Sequence, residues 1–458
     1  MTSASPEIQD SSHSHTPSGK LKRVLSLWDL VLFGLAFIGP TAPYSMFGIA
    51  TVKSLGHLPL VYLIAMVGMS LTALSYGRMA TAFPEAGSTY AYTSKALHPN
   101  LGYFAGWGMI LDYILVPLLS VIFVGLAANK LVPQIPYVVW AILTAGGITL
   151  INLRGIRVTA RANTVLNAIM VGSLVWFVLV AIRALLHGVG EGSLFSTKPF
   201  YNPESFSFSA VMGATSVAAV SFLGFDGIST LSEDAKDPER DISRATLLVC
   251  LLAGVLFILQ SYLGQMVWPD YRKFNPVETA FMDIGSLIGG EALLYCVSFV
   301  LLVGGLASAI TGQASASRLL FGMGRDRLLP YRVFGYIHPR LGTPVYSVLL
   351  MGGVHLLGAL LLKYTEAAEL VNFGALLGFM GVNLSVVRYF HLRERRLHNG
   401  GLALNLFLPF VGFLVCFYIW LNLSQFSMKM GTVWMGLGFI YLLFLTRGFK
   451  RKLVDLKL

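Results

Sequence analysis

Charged side chains are scarce in this sequence. Asp, Glu, Lys and Arg make up 12% of it, about half of the roughly 25% usual in soluble chains. A polypeptide of 458 residues cannot cover a water-facing surface with so few, which excludes an ordinary soluble globular domain. Cysteine is rarer still. Cys250, Cys296 and Cys416 all lie inside apolar runs, show neither metal-ligand spacing nor a disulfide framework, and read as small core residues. HExxH, GxSxG, paired metal-ligand spacings and an ATP-binding P-loop are all missing, so nothing points to an enzyme, to a cofactor or to ATP-driven pumping. The first 19 residues are rich in Ser, Thr and Pro and lack the apolar stretch of a cleaved signal peptide. The expectation is a disordered cytoplasmic tail over residues 1–24, with the first membrane helix serving as the insertion signal.

Apolar surface is abundant: 55% of residues are hydrophobic, 12% aromatic, 47 are Gly, and the mean hydropathy is +0.70. Helices in lipid tolerate Gly and use Trp and Tyr at their interfaces, so the composition reads as a polytopic membrane protein. Crossing the hydrocarbon core takes about 20 mainly apolar residues. Cutting the sequence at Lys, Arg, Gly-Pro and polar clusters gives twelve such spans, at 27–52, 58–82, 101–128, 136–153, 163–187, 207–231, 245–268, 289–316, 344–362, 368–389, 402–424 and 431–446. If the N-terminus is cytoplasmic, only Lys53, Lys130, Arg183, Lys198, Arg272, Lys273, Lys363 and Lys429 of the 33 Lys and Arg fall outside. That asymmetry puts both termini in the cytoplasm of a cell (inner) membrane protein. It also accounts for the net charge of +11 without a nucleic-acid partner, since the basic residues occupy short loops and the ends of spans rather than one soluble face.

Two longer loops, 83–100 and 269–289, each follow the second helix of a five-helix unit. Spans one to five (25–188) and six to ten (205–392) then read as repeats of inverted topology, with two further helices over 400–447 and a basic cytoplasmic tail over 448–458. Such repeats break their first helix at mid-membrane. Span one carries Ile38-Gly39-Pro40-Thr41-Ala42-Pro43, where each proline removes an intrahelical donor and clashes with the preceding turn. Counted from Trp28, Gly39 lies about 16 Å into the bilayer. Span six carries Ser221 to Gly227, in which Gly224 and Gly227 bracket Asp226 in an apolar run.

Several runs resemble one known family. Phe83-Pro84-Glu85-Ala86-Gly87-Ser88-Thr89-Tyr90, Gly106-Trp107, Leu111-Asp112-Tyr113, Phe222 to Asp226 with Ser232-Glu233, and Ser317-Arg318 with Met323 to Asp326 are similar to the signatures of amino acid-polyamine-organocation transporters. Val333-Phe334-Gly335-Tyr336, His338-Pro339 and Asn372 to Leu376 add a likeness to bacterial putrescine importers. The resemblance implies an all-α, LeuT-like 5+5 fold. Substrate would sit between the broken helices one and six, walled by helices three, eight and ten, and move by alternating access with protons as coupling ion. The sequence departs from that family at two places. A Gly-x-Gly tract usually marks the first break, with free amides that hold a substrate carboxylate; here the stretch is Pro40-Thr41-Ala42-Pro43, which favours a substrate bearing amines only. The lysine that some relatives carry in helix five has no counterpart here: Asn163 to Gly172 holds no basic residue, with Met170 near its place.

The candidate substrate residues are Gly39, Pro40, Thr41, Tyr44, Asp112, Tyr113, Phe222, Gly224, Phe225 and Asp226. An acid within a membrane span is expensive and points to function. Asp226 either holds an ammonium or ties down the backbone N–H groups of the broken helix. Asp112 either serves a second amine or a proton, or makes an interhelical hydrogen bond. Tyr44, Tyr113, Phe222 and Phe225 either offer cation-π faces or pack. His355 reads as a bonded core histidine, Glu291 as a surface residue, and Asp29 and Arg78 as interfacial. Glu233 to Asp241 is either a solvated loop or an inner gate with Arg157, Arg161 and Arg244. Arg393 to Arg396 and Lys450 to Lys452 read as topology signals meeting anionic lipid. The functional expectation is proton-coupled import of putrescine or a related polyamine. The alternatives are an amino acid permease of the same fold and a non-transporting sensor.

Overall fold

Backbone groups inside a bilayer must find partners within their own segment, so apolar runs of this length become helices. The computed structural model describes residues 23–274, 277–362, 364–395, 401–450 and 453. Residues 1–22 of the expected tail, Lys363, Arg396 and the terminal Arg451 and Lys452 lie outside the described residues.

The helices are α1 (Leu27–Ile38), α2 (Pro43–Lys53), α3 (Leu58–Ala82), α4 (Ser88–Ala96), α5 (Pro99–Leu131), α6 (Tyr137–Leu153), α7 (Ile156–Leu186), α8 (Phe208–Ala218), α9 (Pro238–Val267), α10 (Ala280–Arg325), α11 (Tyr331–Phe334), α12 (Val345–Leu361), α13 (Tyr364–Val386), α14 (Leu408–Leu421) and α15 (Gln425–Leu445). Among the described residues nine helical stretches are long and apolar enough to cross a membrane, counting α8 with the turns after it. The pair α1 and α2 makes a bent tenth, and α6 and α12 are shorter apolar helices.

Several boundaries differ from those expected. The loops at 83–100 and 269–289 are partly helical: α4 occupies the first, and α10 begins at Ala280 in the second, with a kink at Gly290 (φ 62°) before the long apolar part. Helix α10 then runs on to Arg325, beyond the expected end at 316, and α7 starts at Ile156 rather than 163. These ends carry Arg and polar residues that hydropathy assigns to loops, while the polypeptide stays helical to the surface.

Each face is stitched by specific bonds. Where the chain enters α1, Val24 and Leu25 N–H donate to the Asp234 carbonyl at 2.8 and 3.0 Å, and Lys236 N–H donates to the Leu25 carbonyl at 2.9 Å. Asp29 is used locally there, accepting from Ser26 N–H at 2.8 Å as an N-terminal cap, and Arg78 stacks 4.7 Å over the Phe390 ring. At the opposite face Gln265 accepts from Leu58 N–H (3.0 Å) and donates to the Gly56 carbonyl (2.7 Å), and Asn202 N–H donates to His57 Nε2 at 3.1 Å. The interior is close-packed through small residues, as is usual between helices in lipid. A Cβ on Gly374 of α13 would lie 2.1 Å from the Gly108 carbonyl oxygen of α5, so those backbones touch beside Asp112.

Candidate substrate site and its gate

The first break is short. Helix α1 ends at Gly39, in a left-handed conformation (φ 81°) that residues with a Cβ rarely adopt. Helix α2 restarts at Pro43, where a missing N–H costs nothing, and the two axes differ by 55°. Few amides are left for a ligand. Gly39, Ala42 and Tyr44 N–H donate to the carbonyls of Leu35, Gly39 and Thr41, and Pro40 and Pro43 have none to give. Thr41 alone keeps its N–H between Gly39 and Tyr44. At the break Gln260 Nε2 donates to Pro40 O at 2.9 Å, and farther back in α1 Asn167 Nδ2 donates to Leu32 O at 2.7 Å. Beside the break lies a cavity of about 200 Å³ whose walls include Gly39, Thr41, Ser45, Ser120, Gly304 and Ser308.

The second break is longer. After α8 the chain tightens into a 3-10 turn (Ala219–Phe222), passes through extended Leu223 and left-handed Gly224 (φ 117°), and continues as a second 3-10 stretch, Phe225–Leu231. A Cβ on Gly224 would sit 2.8 Å from Phe37 Cγ, so the glycine is required both by its φ and by the Phe37 ring wedged between the two breaks.

Asp226 is the second residue of the Phe225–Leu231 stretch and is buried. Its Oδ2 accepts from the Tyr113 hydroxyl at 2.5 Å and its Oδ1 from Gly224 N–H at 3.3 Å. It therefore does cap the broken helix, one of the two roles open from the sequence, and it also joins helix α5. Asp112, one residue before the Tyr113 that bonds Asp226, is buried with Oδ1 unpartnered.

The remaining candidates are dispersed. Phe222 packs edge-on to Phe257 of α9 (centroids 5.1 Å), and Phe225 packs against Tyr76 and Phe379 (5.6 and 5.0 Å). Both are fully buried packing residues in this arrangement. Tyr44 stacks on Phe281 at 3.9 Å and lies 6.2 Å from the Phe177 ring, in an aromatic cluster of its own with its hydroxyl buried. The ring that does meet the site is Phe37, 6.0 Å from Tyr113. The sequence offered no signal for it beyond its place two residues before Gly39.

On the α1 side the site is closed by ions. Asp234 pairs with Arg318 at 2.5 Å with both side chains buried, Arg325 pairs with Glu233, and Glu85 pairs with Lys95. Tyr90 donates to Asp326 at 2.5 Å, and Ser88 and Ser229 share a hydrogen bond. Burial raises the Asp234 carboxyl above its ordinary value, while the Arg318 guanidinium pulls it back down. Of the tract from Glu233, Glu233 and Asp234 are thus ion-paired to another helix, while Lys236, Asp237, Glu239 and Arg240 are exposed. The paired cations come from the end of α10, not from Arg157, Arg161 and Arg244, which are exposed. Arg318 entered the sequence reading only within the Ser317-Arg318 signature, not as a partner of the acidic tract.

Apolar helices broken around buried acids, with an ion-paired closure on one face, define a multi-pass membrane transporter rather than an enzyme. The amino acid permease family model matches residues 31–449. The chain is 36% identical over 445 residues to the low-affinity putrescine importer PlaP of Escherichia coli (strain K12), covering 96% of this chain and 98% of that protein. It is 25% identical over 479 residues to the branched-chain amino acid permease BcaP of Bacillus subtilis (strain 168), covering 94% and 95%. It is also 25% identical over 397 residues to the methylthioribose transporter of the same strain, covering 82% of each. The chain belongs to the amino acid permease family, within the amino acid-polyamine-organocation superfamily that its motifs resemble.

Proposed function

We propose that this transporter imports putrescine or a closely related diamine together with protons, by alternating access in a twelve-span, LeuT-like 5+5 inverted repeat whose termini are both in the cytoplasm of the cell (inner) membrane. One observation carries the substrate reading. Asp112 and Asp226 are buried near each other, while Arg318, already paired with Asp234, is the one buried Lys or Arg among the described residues. An acid at the bilayer centre costs about 2.5–3.5 kcal/mol even on insertion scales, and two in one place repel. A substrate with two ammonium groups supplies the missing charge. In its absence protons do, which links proton and substrate occupancy at the same carboxylates. Asp226 then serves one ammonium, with unwound carbonyls of both breaks and Tyr113 beside it. Asp112 serves the other ammonium or carries the proton. Gly39, Thr41 and Gly224 shape the two breaks, and the ion-paired face around Arg318 and Arg325 is the inner gate.

An amino acid permease is the second reading, favoured by the Thr41 amide that stays available at the first break and by the relatedness to BcaP. The two are separated by uptake into proteoliposomes of labelled putrescine, spermidine, arginine and leucine, with and without an imposed inward proton gradient. Putrescine accumulation that collapses with the gradient is the expected result. Amino acid uptake without putrescine uptake would retire the diamine reading, and binding without flux of any substrate would indicate a sensor.

A further inference from the structure

One imidazole joins two parts of the face opposite the start of α1. His57 stands at the corner between α2 and α3 and is fully buried. Its Nδ1 lies 2.9 Å from the Ser54 carbonyl oxygen, and its Nε2 lies 3.1 Å from the main-chain nitrogen of Asn202. A carbonyl only accepts and a main-chain N–H only donates, so Nδ1 carries the hydrogen and Nε2 is bare. The neutral ring fits both partners. An imidazolium has a hydrogen on each nitrogen, which would set Nε2–H against the Asn202 N–H and lose that bond.

The segments joined in this way lead to the two breaks. On one side Gln265 of α9 pins the residues flanking His57, accepting from Leu58 N–H and donating to the Gly56 carbonyl, so the corner after α2 is fixed. On the other side lies the loop 187–207. Its first half is tied to α9: Glu191 N–H donates to the Met266 carbonyl at 2.9 Å, and the Tyr262 hydroxyl donates to the Leu194 carbonyl at 3.1 Å. Its second half meets His57 at Asn202, with the Phe206 ring edge-on to the imidazole at 5.5 Å, and runs directly into α8. His57 therefore links the half-helix after the first break to the half-helix before the second.

The charged and titratable groups around the ring sit at the rim. Lys53 at the end of α2 is exposed. Glu191, Lys198 and Glu204 line a surface pocket with Asn202, Gln265 and Tyr271, and Glu191 pairs with Lys198 at 2.9 Å. Asp270 pairs with Lys273, Arg272 stacks over Tyr271, Tyr201 packs on Phe206, and His187 at the head of the loop is exposed. The first turns of α3, the last turns of α9 and all of α8 carry no charge. Both ring nitrogens are spent on main-chain groups, so no carboxylate is bonded there to hold a second proton on the ring.

We infer that His57 is a proton-operated latch of the outer face: neutral, it ties the α2–α3 corner to the loop that feeds α8, and protonated, it lets Asn202 go. Histidine changes charge between about pH 5 and 8, so acid outside loosens the outer closure, and an inward proton gradient acts there as well as at the buried acids. The inference rests on the proposed topology in calling this face outer.

The test is hydrogen exchange read by mass spectrometry on the full chain in nanodiscs from about pH 8 to about pH 5, corrected for the intrinsic pH dependence of exchange. The Asn202 N–H is itself the bonded group, so its exchange reports the latch directly. In wild type the peptide spanning Asn202 is expected to lose about tenfold in protection as the pH falls, the size of one buried hydrogen bond, while the first half of the loop keeps its own. His57→Gln keeps an acceptor that takes no proton, so its protection is expected not to change with pH; His57→Leu is expected to be poorly protected throughout. No response in wild type, or the same response in His57→Gln, overturns the inference. In Glu204→Gln and His187→Gln the response is expected to persist, and its loss in either would place the sensor elsewhere and overturn the inference too. If neither His57 variant folds, wild type and these two variants decide. Exchange needs no substrate, so a wild type that does not take up putrescine refutes the substrate reading alone. Glu204→Cys is expected to react with an impermeant maleimide in intact cells, and reaction only after lysis would overturn the outer placement.

Discussion

Phe225 and Asp226 are adjacent in the chain and opposite in task. The Phe225 ring is spent on Tyr76 and Phe379, whereas the Asp226 carboxylate turns to Tyr113 and to the amide of Gly224. Substitutions at the two positions should therefore separate. Asp226→Asn is expected to abolish diamine uptake in proteoliposomes, since the amide cannot balance an ammonium. Phe225→Leu is expected to keep the wild-type KM and to lower stability by about 1 kcal/mol, the cost of an imperfectly filled aromatic site, read as a lower thermal midpoint in detergent. A tenfold rise in KM for Phe225→Leu would put that ring on the substrate and reverse the assignment. Near-normal affinity in Asp226→Asn would remove the acid from the site.

At the scale of elements, the two breaks are built by different means. The first is a proline break whose amides are either missing or consumed, leaving Thr41. The second is a 3-10 passage around Gly224 that ends by presenting an acid. Half-helix N-termini attract carboxylates through their free N–H groups, so the first break is poor ground for an amino acid and tolerant of an alkylammonium. Pro40→Gly gives position 40 an N–H and leaves the Pro40 carbonyl partner, Gln260, in place. The expected outcome is a gain of amino acid binding, seen as competition by leucine or arginine against labelled putrescine. If neither amino acid competes in this variant, the scarcity of amides is not what selects against carboxylates.

At the scale of the molecule, the closed face depends on a buried ion pair between distant parts of the chain. Asp234 follows the second break, and Arg318 stands near the end of α10. The Asp234 carbonyl also holds the start of α1 through Val24 and Leu25, so three elements meet at one residue. Breaking a buried pair from one side strands the other charge, at a cost of about 3–5 kcal/mol, whereas replacing both by apolar groups is often neutral. Asp234→Asn is thus expected to lower the thermal midpoint sharply. Asp234→Leu combined with Arg318→Met should recover it while altering the turnover rate, because the charge latch is gone and the backbone tie remains. Equal instability of the single and double variants would show that the pair is not the source of the closure energy.

Much of this protein was legible from local pattern. Hydropathy marked the membrane spans, Gly39-Pro40 and Gly224 marked the breaks, and two acids in apolar runs marked the candidate site. Each of these signals is local: a proline lacks its N–H and a glycine reaches positive φ whatever surrounds them, and an acid in lipid is costly wherever it lies. What the sequence left open was facing. Phe222, Phe225 and Asp226 lie along a segment that leaves the 3.6-residue period for a 3-10 path, where successive side chains turn by a different angle, so no helical wheel could say which one meets Tyr113. Likewise, the sequence offered Arg157, Arg161 and Arg244 as partners of the acidic tract, and only the fold brought Arg318 and Arg325 of α10 to Asp234 and Glu233. Membership in the membrane, the positions of the breaks and the presence of buried acids follow from the sequence by itself, because they depend on the intrinsic chemistry of single residues. The partners of those residues were decided by tertiary structure, because contacts across 84 to 113 residues depend on how helices turn and pack.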